Sequence, residues 1–435
     1  MTTFQQQRAF GTPPLSPQDL KEQYQKVRQF SEYLCKPLAT EDYVIQSMPD
    51  VSPTKWHLAH VSWFFETFLL KPAVPGYRSL HPQYAYLFNS YYNTLGERHC
   101  RPRRGLISRP TVAETFTYRR YVDEHILALL EKSDERQLAS IIPMFILGLH
   151  HEQQHQELLL TDIKHVFSCN PLSPLSRDGE VPHMASVPPV EWIDFDEGLH
   201  WIGHEGAGFA FDNEAPRHRE FVPTFQLASR LVTNAEYLEF IADGGYGNPQ
   251  LWLSEGWSTV RAEEWQAPLY WEKRDDQWWM MTLNGWREVH KAEPVCHLSY
   301  FEADAFARWA GDRLPTEAEW EIAAQTVPVA GNFVESGLYH PAPSGTSSAR
   351  GELAQMYGDV WEWTQSSYAP YPGFQASAGA VGEYNGKFMC NQYVLRGGSC
   401  ATSLAHIRST YRNFFPANAR WQFMGMRLAR DVHHA

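Results

Sequence analysis

The chain has little cysteine, a deficit of basic residues and no long apolar run. Its six cysteines (Cys35, Cys100, Cys169, Cys296, Cys390 and Cys400) are scattered and form no CxxC pair. That pattern reads as reduced thiols in a cytoplasmic protein, with room for two or three disulfides at most. Lys and Arg number 37 against 50 Asp and Glu, a net charge of −13. A chain this acidic lacks the electrostatic footprint that phosphate backbones require, which excludes nucleic acid as a partner. No stretch of about 18 apolar residues occurs, so no membrane span is expected. Residues 1–10 are Gln-rich without an apolar segment, so no signal peptide is expected.

What is present is apolar content of 43%, aromatic content of 14% and 435 residues. That is enough for two or three domains of about 100–200 residues, each with a buried core. The 19 histidines are distributed unevenly, and their positions carry most of the information.

Residues 1–169 read as a helical domain. Ser16-Pro17-Gln18-Asp19 has the form of a helix start, and Leu20, Tyr24 and Val27 follow at helical spacing. A second start at Ser52-Pro53 leads into an apolar run from Trp56 to Leu70, closed by Pro72. A third helix is expected from Thr111 to Lys132, and a fourth from Asp134 to Cys169 with a kink at Pro143. Four such helices form an up-and-down bundle. The insertion from Gly76 to Pro110, rich in aromatics and arginine, is too long for a plain turn. Residues 170–189 are Pro-rich and read as a linker. From 190 to 435 the texture is that of a loop-rich α+β domain. Short strands are expected at Glu191–Phe195, Leu199–Ile202 and Glu220–Gln226, and helices at Asn234–Ala242 and Tyr300–Ala310.

The sharpest local signal is His151-Glu-Gln-Gln-His155-Gln-Glu157 within the fourth helix. Residues four apart are offset by about 40° around a helix, so both imidazoles leave one face and can grip one ion. His60, in Trp56-His57-Leu58-Ala59-His60, can complete the site from a facing helix, as bundle-core metal sites do. His57, about 60° off that face, can substitute for it. Glu157 lies about 200° from His155 and is a poor ligand. Three neutral imidazoles suit Zn, Fe, Ni or Cu and leave positions open for substrate or water.

The second half carries Pro223-Thr-Phe-Gln-Leu, Val232-Thr-Asn-Ala-Glu-Tyr237, Trp309-Ala-Gly-Asp-Arg-Leu-Pro-Thr-Glu-Ala-Glu-Trp-Glu321 and Gly358-Asp-Val-Trp-Glu-Trp-Thr364. Leu395-Arg-Gly-Gly-Ser399 and Gly425-Met-Arg-Leu-Ala-Arg430 follow. In this order they resemble the formylglycine-generating-enzyme (sulfatase-modifying factor) fold, a C-type-lectin-like domain, over about residues 190–430. The bundle with its HxxxHxE resembles the DinB-type four-helix metal-binding family. Together, in this order, they resemble the ergothioneine-biosynthesis sulfoxide synthases, the EgtB family.

That resemblance implies a mononuclear non-haem Fe(II) enzyme that uses O2 to join a thiol to C2 of hercynine (Nα-trimethylhistidine), giving the sulfoxide. The implied iron ligands are His60, His151 and His155; His57 and His150 are set aside. Gln154 is implied to bond the substrate imidazole. The segment Tyr411-Arg-Asn-Phe-Phe415 resembles the stretch that holds the betaine side, with Asn413 and Phe414 as its candidates. A quaternary ammonium favours aromatic faces. Arg101 and Arg104, favoured by their spacing over Arg98 and Arg103, would grip the carboxylate of the thiol substrate. A phenol near the iron is implied, from Tyr91 and Tyr92 or from Tyr368 and Tyr371. Phe415 stands where users of γ-glutamylcysteine keep an acid, so free cysteine is the expected donor, with Tyr91 and Tyr92 at the site.

Rival readings remain beside this one: a selenium-inserting relative, a zinc-dependent DinB-type thiol transferase, and a non-catalytic binding protein. An ovothiol-type synthase would need a further methyltransferase domain, for which 435 residues leave no room. Formylglycine-generating enzymes hold copper through two cysteines beyond Gly-Gly-Ser. Here Cys400 follows Ser399 directly and no second cysteine comes after it, which argues against that chemistry.

Overall fold

The computed structural model describes residues 16–175, 187–345 and 351–432. The N-terminal ten residues read for a signal peptide lie outside this set, as does part of the Pro-rich stretch at 170–189. Helix α1 (Pro17–Cys35) starts at Ser16 with a capping box closed by Asp19. Helix α2 (Thr54–Phe65) is buried on every face and continues through a π-helical turn, Glu66–Leu70, into the single turn α3 (Lys71–Ala73). Pro72 therefore does not close the run. In the wide turn before it Lys71 N–H already reaches back to Glu66 O, so the helical register has shifted ahead of the proline. Glu66 is held there by the hydroxyls of Tyr77 and Tyr118, both at 2.8 Å.

A short helix, α4 (Tyr84–Phe88), lies in the insertion. Helix α5 (Val112–Lys132) carries a second capping box, Thr111 with Glu114. Helix α6 (Glu135–Ser168) runs through Pro143 as one element of about 51 Å. Long helices α1, α2, α5 and α6 pack around Tyr24, Trp63, Phe65, Tyr118, Ile126 and Phe145. A buried polar cluster locks them: Glu152 receives Arg28 at 2.9 Å, Arg119 at 2.6 Å and Ser31 at 2.7 Å. These two guanidiniums and the serine hold the carboxyl down at about 2 against the opposing effect of burial. The cluster fixes the rotation of α6 beside His151.

The second half has three antiparallel groups of strands and one mixed sheet. Strands β1 (Trp192–Phe195), β4 (Phe225–Ala228) and β12 (Ala429–Asp431) form one sheet; β2 (Gly198–Ile202) pairs with β3 (His218–Val222). The expected strand over Glu220–Gln226 is thus two strands, separated at Pro223, which cannot donate to a ladder. Helices α7 (Asn234–Ala242) and α8 (Ser254–Ala262) come next, and then the meander β5 (Trp271–Arg274), β6 (Gln277–Thr282) and β7 (Gly285–Glu288). Capping boxes at Ser299 and Thr316 open α9 (Tyr300–Trp309) and α10 (Glu317–Ala324). The last sheet has the order β10 (Asn413–Pro416), β9 (Gln392–Arg396), β8 (Trp361–Ser367), β11 (Met424–Gly425).

The two halves share a core. Leu58, Leu159, Ile163 and Phe167 of the bundle pack in one cluster with Leu231, Met281, Val360 and Phe423. Glu157, a poor ligand by its helical angle, serves this junction. Its carboxylate accepts Trp361 Nε1 and Ser399 Oγ at 2.7 Å and Thr402 Oγ1 at 2.8 Å. All six cysteines are free thiols. No helix among the described residues is long and apolar enough to cross a membrane.

Candidate metal centre

A cavity of about 500 Å³ opens between the bundle and the edge strand β10, with the histidines in its wall. His60, His151 and His155 each offer one nitrogen, and these atoms lie within 4.8 Å of one another. The Nε2 atoms of His60 and His151 are 3.3 Å apart. Imidazole nitrogens bound at 2.0–2.1 Å and at right angles stand about 3 Å apart, so the spacing fits one ion.

The protonation pattern fits as well. His60 Nδ1 donates to Phe88 O at 2.5 Å, which leaves its Nε2 lone pair facing the other imidazoles. His57 Nε2 donates to Asp162 at 3.0 Å, and its Nδ1 meets His155 Nδ1 at 2.9 Å. That relay turns the Nε2 lone pair of His155 inward. Burial pushes His151 down to about 3. Burial, reinforced by the neighbouring imidazoles, also holds His60 and His155 well below the usual histidine range. All three are neutral at pH 7, the form a metal needs. His57, left open as an alternative by its position on α2, stands one shell back.

Aromatic rings enclose the triad. His60 is sandwiched between Trp56 (4.6 Å) and Trp63 (5.4 Å), and Phe64 stacks on His151 at 4.3 Å. These flanks were open to sequence reasoning, since positions 56, 60 and 63 are four and three apart on one helix. His150 is turned away; it stacks on Phe209 at 3.9 Å and meets His406 Nδ1 at 3.0 Å.

The remaining candidates fall into separate groups. Arg101 and Arg104 both line the cavity. Arg104 is buried, lies 3.3 Å over the Trp56 ring, and reaches only the hydroxyls of Ser52 (2.9 Å) and Ser90 (3.2 Å). Burial without a carboxylate partner pushes its guanidinium down to about 9, so it still carries a full charge into the cavity at neutral pH. Arg101 bonds the Tyr91 hydroxyl and Asp50 O. Arg98 instead binds Ser90 O at 2.6 Å.

Tyr91 and Tyr92 both line the cavity but differ in their neighbours. Tyr91 packs on Phe388 at 4.9 Å, beside the arginines. Tyr92 packs 5.7 Å from Trp63, one ring from His60, and burial raises its phenol so that it keeps its proton. Gln154 Nε2 donates to the Tyr411 hydroxyl at 2.8 Å, which leaves its Oε1 as an acceptor. Tyr411 in turn donates to His406 Nε2 at 3.0 Å. Tyr411 stands in the Tyr411–Phe415 segment, but the sequence carries no signal for its role, because its partner Gln154 is distant in the chain.

Asn413, Phe414 and Phe415 come from edge strand β10 and line the cavity. Tyr368 and Tyr371, the alternative source of a phenol near the iron, are not among its lining residues. Tyr368 stacks behind Phe414 at 4.1 Å and binds the Asn213 amide at 2.9 Å. The Tyr371 hydroxyl receives Arg396 at 3.0 Å, and the ring lies under Arg412. Both sit behind the strand, tied to its charged supports.

Known proteins resemble the chain in the same two parts. The DinB superfamily matches residues 23–159, and the sulfatase-modifying factor enzyme 1-like domain matches 191–344 and 334–432. A hercynine oxygenase from Mycobacterium tuberculosis is 32% identical over 409 residues, 88% of this chain and 92% of that one. One from Mycolicibacterium smegmatis is 32% identical over 417 residues, covering 89% and 93%. The formylglycine-generating enzyme of Bos taurus is 25% identical over 296 residues, 58% of this chain and 78% of that one.

Proposed function

The chain belongs to the hercynine oxygenase family, and from that premise we propose that it is an Fe(II)- and O2-dependent sulfoxide synthase joining cysteine to C2 of hercynine. The observation that carries this reading is the convergence of three neutral imidazoles, His60 and His151 buried and His155 partly so, on a cavity that also holds the buried guanidinium of Arg104. His60, His151 and His155 would hold the metal. Bound there, Fe(II) supplies O2 activation and keeps a coordinated thiol as thiolate at neutral pH.

The protein's own groups bind, orient and move protons. Gln154 Oε1, fixed by the Tyr411 contact, accepts the N–H of the substrate imidazole and so sets which edge of the ring faces the triad. Asn413 and the rings of Phe414, Phe388 and Tyr384 receive the betaine end. Phe388 and Tyr384 lie 5.7 and 6.3 Å from Phe414, a grouping that suits a trimethylammonium. Arg104, with Arg101 beside it, takes the carboxylate of the thiol substrate. Tyr92, packed on Trp63 beside His60, is the candidate phenol; burial keeps its proton on at neutral pH, so it can donate a hydrogen bond towards the centre.

Phe415 packs edge-to-face on Trp421 at 5.6 Å, and the nearby Arg420 is already paired with Glu302 at 2.7 Å. An apolar side chain at 415 offers no partner for a second carboxylate, and this favours cysteine over γ-glutamylcysteine. The test is an aerobic assay of the Fe(II)-loaded protein with hercynine and either donor, alongside the zinc-loaded protein and a selenium donor. Hercynylcysteine sulfoxide formed with iron and cysteine is the expected result. Absence of a sulfoxide with both donors would refute the proposal.

A further inference from the structure

A second cavity, of about 440 Å³, reaches His151 by a separate mouth and meets the first along Tyr92, His151, Gln154, Phe211, Tyr384 and Asn385. It opens at the surface between the exposed residues Pro143, Gly208 and Ser377. Its body is lined by Phe64, Ile142, Ile146, Leu147, Phe209 and Val381, and its inner end by His151 and Tyr92. Pro143, Leu147 and His151 are successive residues at four-residue steps along α6, so one stripe of that helix leads inward. The path spans about 12 Å of helix. Its one carboxylate, Asp212, is engaged by Ser377 N–H (3.1 Å) and Asn385 Nδ2 (2.6 Å). No Lys, Arg or Glu lines it.

The two cavities therefore differ in chemistry. The first presents guanidiniums, Asp162 and amides to charged substrates, whereas the second has no cationic side chain and is apolar along its body, with amides and phenols only where it meets the first. Dioxygen has no dipole, gains nothing from the polar cavity, and partitions into apolar voids as xenon does. Once two organic substrates fill the first cavity, gas needs another way to the triad.

We infer that the second cavity is the entry and holding site for dioxygen, delivering it to the His151 side of the centre. The inference rests on the oxygenase reading above. Leu147→Trp fills the middle of the route and Val381→Trp its mouth, and neither residue belongs to the proposed catalytic set. Diffraction from xenon-pressurised crystals of the metal-free protein gives a readout independent of activity. The expected result is xenon in the wild-type cavity and its loss in the variants. In the Fe(II)-loaded enzyme KM for O2 should rise about fivefold or more, with kcat at saturating O2 and both organic KM values within about twofold.

No xenon in the wild-type cavity overturns the inference. So does an unchanged KM for O2 in either folded variant, and Val381→Trp decides the matter if Leu147→Trp does not fold. A wild-type protein that takes up xenon there but consumes no O2 refutes the oxygenase reading, and the gas route with it. Turnover with an unchanged KM refutes the route alone.

Discussion

Replacing Arg104 by methionine separates binding from stability. The guanidinium is 2% exposed, lies 3.3 Å over Trp56 and reaches two serine hydroxyls. Its removal forfeits a desolvated cation–π contact of ~2 kcal/mol and two hydrogen bonds of ~1 kcal/mol each. Against this stands the cost of burying a charge without a carboxylate, several kcal/mol in magnitude, which shows in the guanidinium pushed down to about 9. The two sides nearly cancel, so Tm should stay within ~4 °C of wild type. Binding has no such compensation. The carboxylate of the thiol substrate loses at least one charge-assisted hydrogen bond of ~1.5–3 kcal/mol, which raises its KM by ~10- to 150-fold. Steady-state kinetics with varied cysteine at saturating hercynine, paired with calorimetry of the metal-free protein, measure both. An unchanged KM for cysteine, or a Tm lowered by more than ~10 °C, would show that Arg104 is a structural residue and refute the reasoning.

Tyr411→Phe removes the acceptor that orients Gln154, and kcat/KM for hercynine should fall ~3- to 10-fold with the KM for cysteine unchanged. His57→Phe breaks the Asp162–His57–His155 relay; metal titration should show affinity reduced ~10- to 100-fold, and His155→Ala should abolish stoichiometric uptake. Glu157→Leu orphans Trp361 Nε1, Ser399 Oγ and Thr402 Oγ1. Thermal unfolding should register a loss of ~3 kcal/mol or more, and Glu157→Gln a smaller one. Burial raises the Asp359 carboxyl from 3.8 to about 6, so the folded state binds the extra proton between those values. Its contribution to stability is therefore greatest below pH ~4 and is lost as pH rises to ~6, a change of ~3 kcal/mol that Asp359→Asn should flatten in urea melts.

Much of the architecture could be read locally. Helix starts at Ser16, Thr111, Ser299 and Thr316 each carry an acid three residues on, and all four form capping boxes. The His151/His155 pair needs only the geometry of one helix. Helix geometry does not choose between His57 and His60, and only the family resemblance does, because α2 is buried on every face and shows no amphipathic stripe to mark its orientation. The two prolines act differently: the hydrogen-bond register has already shifted ahead of Pro72, whereas Pro223, with no N–H to give a ladder, divides the expected strand. The position of Tyr368 and Tyr371 behind the strand is not legible either, because the order of residues after a strand does not say which side of the sheet faces a cavity.

By itself the sequence determined the two-part organisation, the family resemblance and one helical pair of imidazoles, all of which rest on short spacings. Tertiary structure decided the rest: that His60 joins the pair while His57 orients it, that Tyr411 holds Gln154, and that an apolar void lies behind the triad. These contacts join residues tens to hundreds of positions apart. They are set by how buried faces pack, and no local pattern encodes that.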